Sequence, residues 1–201
     1  MQQDERNQGI SSISLDEIHL SKRSFLRTAL ALLLVGAGSE GVRADGATSS
    51  VWTTFQTPEA FLAQAFGGSA PPAQLMDLDA NKQGQLSAVF GKSYPQARLR
   101  YWKANGKSAW VLEDLGKPGY QLTTAGFVVK GGAIEMARVL IYRESRGEQV
   151  GEASFLKQFD GARLVGASLD RNIDNISGAT LSVLMMQRMA RAAIKLDSLT
   201  A

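Results

Sequence analysis

Asn105-Gly106 is the feature that most constrains how this chain can fold. Before it, Arg98 and Arg100 alternate with Leu99 and Tyr101; after it runs the apolar-rich stretch Ser108–Glu113. An Asn-Gly pair tolerates positive φ at both central positions of a tight turn, and that turn has the twist that antiparallel strands need. The two runs therefore read as a β-hairpin. Further turns continue the pattern. Gly116-Lys117-Pro118-Gly119 reverses the chain, Tyr120–Thr124 and Gly126–Lys130 read as strand pieces, and Gly131-Gly132 leads into the β-rich run Ile134–Tyr142.

Helical signals flank these hairpins. Thr57-Pro58-Glu59 reads as an N-cap, a proline at the first helical position and an acid in the first turn. That helix is expected to run to about Phe66 and stop at Gly67-Gly68. Ala70-Pro71-Pro72 is a loop, followed by a helical stretch around Gln85–Phe90, and Ala153–Phe159 reads as a short helix. The last element repeats Leu181, Leu184, Met185, Met189, Ala192, Ala193 and Leu196 at helical spacing, which predicts an amphipathic helix with those residues inward. The fold class is α+β: an antiparallel sheet of hairpins flanked by helices, one domain after an N-terminal signal peptide.

Residues 1–44 read as that signal. Lys22, Arg23 and Arg27 precede the apolar run Ala29–Ala37, which falls short of the roughly 20 apolar residues of a membrane span. Val42-Arg43-Ala44 carries small residues where an A-x-A site places them, so cleavage is expected after Ala44. Ser21–Arg27 resembles the twin-arginine export signal, with lysine in place of the first arginine; the Sec route is the alternative. A periplasmic location is expected, with membrane association peripheral at most.

Composition then narrows the chemistry. There is no cysteine, and the single histidine, His19, lies in the export segment. The exported chain therefore has no means to run a Ser-His-Asp triad or to build a conventional zinc site. Lys and Arg number 22 against 19 Asp and Glu, a surplus too small to be a nucleic-acid footprint. Asp77-Leu78-Asp79-Ala80-Asn81 invites a calcium-loop reading, but glycine stands at 84 rather than 82 and Ala88 occupies the twelfth position, so a solvated turn is expected. Trp52, Trp102, Trp110 and Tyr101 either stack on a planar ligand or pack a core.

One loop carries more. Asp174-Asn175-Ile176-Ser177-Gly178-Ala179-Thr180-Leu181-Ser182 is polar, contains glycine and runs straight into the last helix. The first N–H groups of a helix have no partner within it, and the dipole favours an anion there. Small residues at 177–179 admit close approach, and Thr180 and Ser182 add hydroxyls. Two readings stay open: Ser177 or Asp174 caps the helix, or the loop holds a phosphate.

Ser177-Gly178-Ala179-Thr180, in its Asp-x-x-Ser-Gly-Ala-Thr-x-Ser frame, resembles the flavinylation motif of the FMN-binding domain family. That family includes flavin subunits of the sodium-pumping NADH:quinone reductase and of Rnf complexes. Gly119-Tyr120, Gly132-Ala133-Ile134 with Val139, and Glu144-Ser145-Arg146-Gly147 are similar, in the same order, to further parts of its pattern. The resemblance spans about residues 117–196, so residues 117–201 are taken as the FMN-binding region, while residues 45–116 carry no such likeness. Ser145 and Val183 depart from the usual threonine and serine, and the usual Leu-Gly does not follow Gly147. The resemblance implies covalent FMN on Thr180 through its phosphate, installed by an ApbE-type FMN transferase. Asp174, Ser177, Gly178, Ala179 and Ser182 would be its motif neighbours. Glu144, Ser145 and Gly147 would border the ring, with Tyr120 or a tryptophan stacking on it. The implied role is an electron carrier between a membrane-associated donor and a periplasmic acceptor, rather than an enzyme with a small-molecule substrate of its own. The competing expectation is a non-redox binding or adaptor module holding FMN or another phosphorylated ligand non-covalently.

Overall fold

A computed structural model of the protein describes residues 52–200; the expected export segment lies outside them. In chain order the elements are β1 (Thr53–Thr54), α1 (Pro58–Phe66), β2 (Gln74–Asp77), α2 (Ala80–Phe90), β3 (Arg98–Ala104), β4 (Lys107–Asp114), β5 (Thr123–Lys130), β6 (Ala133–Tyr142), α3 (Ala153–Leu156), β7 (Leu164–Val165), β8 (Ser168–Leu169) and α4 (Thr180–Ser198). Six strands form one antiparallel sheet in the order β1-β6-β5-β4-β3-β2, and β7 and β8 pair separately. The fold is α+β, as the hairpin signals imply. Asn105 and Gly106 both take positive φ, +53° and +71°, between β3 and β4.

The sheet is covered on both faces, and the alternation of its strands divides the core accordingly. Leu99, Trp110, Leu112, Ala125, Phe127 and Val139 point toward α4 and α2. Ala109, Val128 and Leu140 point the other way, against Phe61, Leu62 and Ala65 of α1. Central β5 is buried on both sides from Thr123 to Val129. Phe61 lies across Gly126, where a Cβ would come within 2.7 Å of the ring, so α1 docks at this depth only because residue 126 has no side chain. Residues 53–114 thus complete the same sheet and core as the later strands.

Local signals set the helix ends. Thr57 caps α1 by accepting the Ala60 N–H at 3.2 Å, and Gly67 ends it in the left-handed region. Helix α2 starts earlier than its apolar periodicity suggests. Asp79 caps it, accepting the Lys82 N–H at 2.8 Å, and its polar first turns hide the period. Asp77 pairs with Arg98. Tyr120 lies outside β5, which starts only at Thr123 after Gly119 turns at φ +87°.

The inward face of α4 needs correction. Met185, Met189, Ala192, Ala193 and Leu196 are buried, joined by Val183, Met186 and Ala190, but Leu181 and Leu184 are 46% and 44% exposed. Spacings of three and four admit two neighbouring stripes. The sheet takes the one centred on Met186 and Met189, which leaves Leu184 outside. Two polar links set the helix along the sheet. Asp114 at the end of β4 is bonded by Arg188, and Ser108 at the beginning of the same strand donates to Asp197 at 2.6 Å. Trp110 stacks on Tyr101 with centroids 4.9 Å apart and donates to Ser108 at 2.8 Å, while Trp102 packs against the α1 cluster. These aromatics build core. Among the described residues no helix is long and apolar enough to cross a membrane.

Candidate functional site

The beginning of α4 is built without a cap. Gly178, at φ +79°, turns the chain so that the Ala179 N–H donates to the Ile176 carbonyl at 2.9 Å. Ala179 then occupies the N-cap position, where it has no side-chain oxygen to offer. Its carbonyl accepts the Val183 N–H at 3.0 Å, but the N–H groups of Thr180, Leu181 and Ser182 find no partner among the described residues. Neither Ser177 nor Asp174 caps the helix. Ser177 is exposed beside the turn, and the Asp174 backbone N–H donates to the Gln158 side chain at 2.8 Å, drawing that residue the other way. A nineteen-residue helix thus begins with three free donors at the positive end of its dipole.

The turn after β6 closes against this end. Tyr142, only 1% exposed, donates its hydroxyl proton to the Arg146 carbonyl and receives a hydrogen bond from Ser182 Oγ at 2.8 Å. Burial pushes the Tyr142 phenol up to about 12; the Ser182 bond works against this, and the nearby Glu144 and Glu148 charges add to it. Gly147 makes the approach possible. It sits at φ +94°, and a Cβ there would lie 2.5 Å from Ser182 Oγ and 2.7 Å from the Tyr142 oxygen. Glu144 is 8% exposed and accepts the Gly116 N–H at 2.7 Å, tying the β4–β5 turn to the same corner. On that turn the Lys117 ammonium stands 5.3 Å from the Tyr120 ring centroid.

These three walls enclose an open pocket of about 560 Å3. Tyr120, Glu144, Ser145, Gly178, Ala179, Thr180 and Ser182 line it, together with Lys117, Arg146 and Leu181. Ser177 and Gly147 face an adjoining hollow of about 320 Å3 that shares Ser145, Arg146 and Gly178 with it. Asp174 lines neither, and no tryptophan lines the pocket. The two hydroxyls at the helix start differ in kind. Ser182 is 3% exposed and committed to Tyr142. Thr180 is exposed, and its Oγ accepts a hydrogen bond from the Asn175 amide at 3.0 Å, which orients the oxygen and leaves its proton available.

The arrangement suits a phosphate ester with an attached apolar group. The residues that carry the three N–H donors line the pocket together with the cations Lys117 and Arg146, and Tyr120 and Leu181 add exposed apolar surface. The one carboxylate in the wall, Glu144, is spent on Gly116. No protein-family model, curated protein or solved structure gives a significant match to the chain, so the site is read from its own geometry.

Sequence reasoning passes over Lys117, Tyr142, Arg146 and Asn175. Lys117 and Arg146 look like ordinary solvated turn residues, and Tyr142 reads only as the last residue of a strand. Asn175 stands inside the same polar loop, five residues before Thr180, and its amide is the one local signal of this contact.

Proposed function

We propose that this protein is an exported electron-carrying flavoprotein with FMN held through a phosphoester on Thr180. The observation that carries the reading is the uncapped start of α4, with its exposed, oriented hydroxyl in a cation-flanked pocket. Thr180 Oγ would form the bond to phosphorus, displacing the leaving group of a phosphoanhydride of FMN as the hydroxyl proton departs. An ApbE-type FMN transferase would deliver that donor, since no general base among the described residues contacts Thr180 Oγ. The N–H groups of residues 180–182, with Lys117 and Arg146, would hold the phosphate charge. Tyr120 and Leu181 would shield the ring from water, and Glu144 would keep the β4–β5 turn in place. Bound there, FMN supplies reversible one- and two-electron transfer, here between a membrane-associated donor and a periplasmic acceptor.

The test is intact mass and in-gel fluorescence of the exported protein, co-expressed with an ApbE-type transferase shown active on a known acceptor. Wild type should gain the mass of FMN less one water, and Thr180→Ala should not. Thr180→Ala should also unfold within about 0.5 kcal/mol of wild type, because the side chain is exposed and caps nothing. An unmodified wild type would sink the reading and leave a non-covalent binding or adaptor module.

A further inference from the structure

A second cavity, of about 450 Å3, lies on the far side of the Gly116–Pro118 turn. That volume falls in the range of small-molecule sites, roughly 300–1,000 Å3. Leu115, Pro118 and Leu184 give it an apolar surface, the fully buried Phe90 borders it, and three cations stand around it: Lys92, Arg188 and Arg191. No acidic side chain lines it.

The charge balance decides what the cavity suits. Asp114, 3% exposed, lies behind the wall and takes Lys92 Nζ at 2.7 Å and Arg188 Nε at 2.8 Å. Arg188 also donates to the Leu115 carbonyl at 2.7 Å. One carboxylate thus answers two cations. Arg191 has none: its Nε donates to the Val89 carbonyl at 2.7 Å, and no carboxylate pairs with it among the described residues. Burial, and then repulsion from Arg188, press its pKa below the usual guanidinium value. The Val89 bond gives Arg191 a structural use, holding α4 to the end of α2, but it occupies only one edge of the guanidinium. An exposed Leu184 on the same outer face of α4 is an equally unmet group of the opposite kind.

We infer that this cavity binds a small organic anion: one carboxylate, sulfonate or phosphate group carried on an apolar body. The head meets the free edge of Arg191 beside Arg188, where a guanidinium fork matches an oxyanion. The body covers Leu184 and Pro118 and removes apolar area from water. The inference does not rest on the flavin reading, although the occupant would lie one helical turn from Leu181 in the Thr180 pocket.

The experiment titrates the purified protein with octanoate while following the methyl signals of Leu115 and Leu184 by NMR, with octanol and acetate as matched probes. Octanoate should give a saturable shift, with octanol and acetate each at least tenfold weaker. Arg191→Gln should weaken octanoate at least tenfold while Arg191→Lys recovers part of the loss. Leu184→Ser, at an exposed position that leaves the core intact, should weaken it about threefold or more. Equal binding of octanol and octanoate would overturn the inference, since the cations would then contribute nothing. Undiminished binding in both Arg191→Gln and Leu184→Ser, or no saturable shift, would overturn it as well.

Discussion

Gly147→Ala is the sharpest probe of how the site is assembled, because its cost can be divided into two parts. The first is backbone strain. An alanine held at φ +94° costs about 1 kcal/mol relative to glycine. The second is contact. The added Cβ would stand 2.5 Å from Ser182 Oγ and 2.7 Å from the Tyr142 oxygen, so the turn and the helix must separate by nearly 1 Å. That displacement breaks the 2.8 Å bond between the two hydroxyls and strands a buried polar group, at about 1–3 kcal/mol. The sum is about 3 kcal/mol, which for a domain of about 150 residues is a fall in Tm on the order of 10 °C. Gly67→Ala supplies the control. It too sits at positive φ, +72°, but its Cβ would meet nothing within 4 Å, so it isolates the strain at about 1 kcal/mol. Urea unfolding of the two variants beside wild type measures both parts. If Gly147→Ala proves no worse than Gly67→Ala, the turn does not depend on close contact with α4 and the account of the site's construction fails.

Two further outcomes follow from the same network and its neighbour. Tyr142→Phe should change the alkaline limb of stability: a phenol raised from 10 to about 12 contributes stability fully present below pH 10 and lost as pH rises through 12, on the order of 2–3 kcal/mol. The gap between wild-type and Tyr142→Phe unfolding free energies, measured from pH 8 to 12, should therefore narrow across that window and stay constant below it. Asp114→Asn should cost about 2 kcal/mol in denaturant unfolding, since it removes the charge from the buried acceptor of Lys92 and Arg188, both of which keep some access to water; Asp170→Asn should barely move the midpoint, because its pair with Arg171 is exposed and an amide oxygen still accepts the Arg163 N–H.

Turn chemistry and caps made much of the architecture legible, because they act within a few residues. Asn105-Gly106, Gly131-Gly132 and the Thr57-Pro58 start are local statements, and each stands where the sequence puts it. Strands β1, β2, β7 and β8 were not legible: two to four residues show no period, and they are strands only because a neighbour offers an edge. Leu181 and Leu184 misled for another reason. Apolar residues at helical spacing tell that a helix has a face, while the sheet decides which of two adjacent stripes it covers. At the site, Ser177–Thr180 stood out through composition. The wall opposite it did not, because Tyr142 and Ser182 are 40 residues apart and nothing local to either predicts the bond.

That bond also explains why two hydroxyls so close in sequence are so different in use. Residues 180 and 182 are about 200° apart around a helix of 3.6 residues per turn. Turning Ser182 inward to Tyr142 therefore turns Thr180 outward, into the pocket and toward the Asn175 amide. Gly147 sets how near the Tyr142 corner comes and Ser182 sets the rotation of the first turn, while the N–H groups of residues 180–182 are free because Ala179 has no side-chain oxygen to cap them. The proposed acceptor is thus positioned by groups that are not themselves hydrogen-bonded to Thr180. It follows that Gly147→Ala and Thr180→Ala should both lose flavin loading, but only the first should lose stability with it. Loading that survives Gly147→Ala unchanged, at a temperature where the variant is folded, would mean that Thr180 is presented by the 174–179 loop alone and that the Tyr142 corner serves stability without shaping the site.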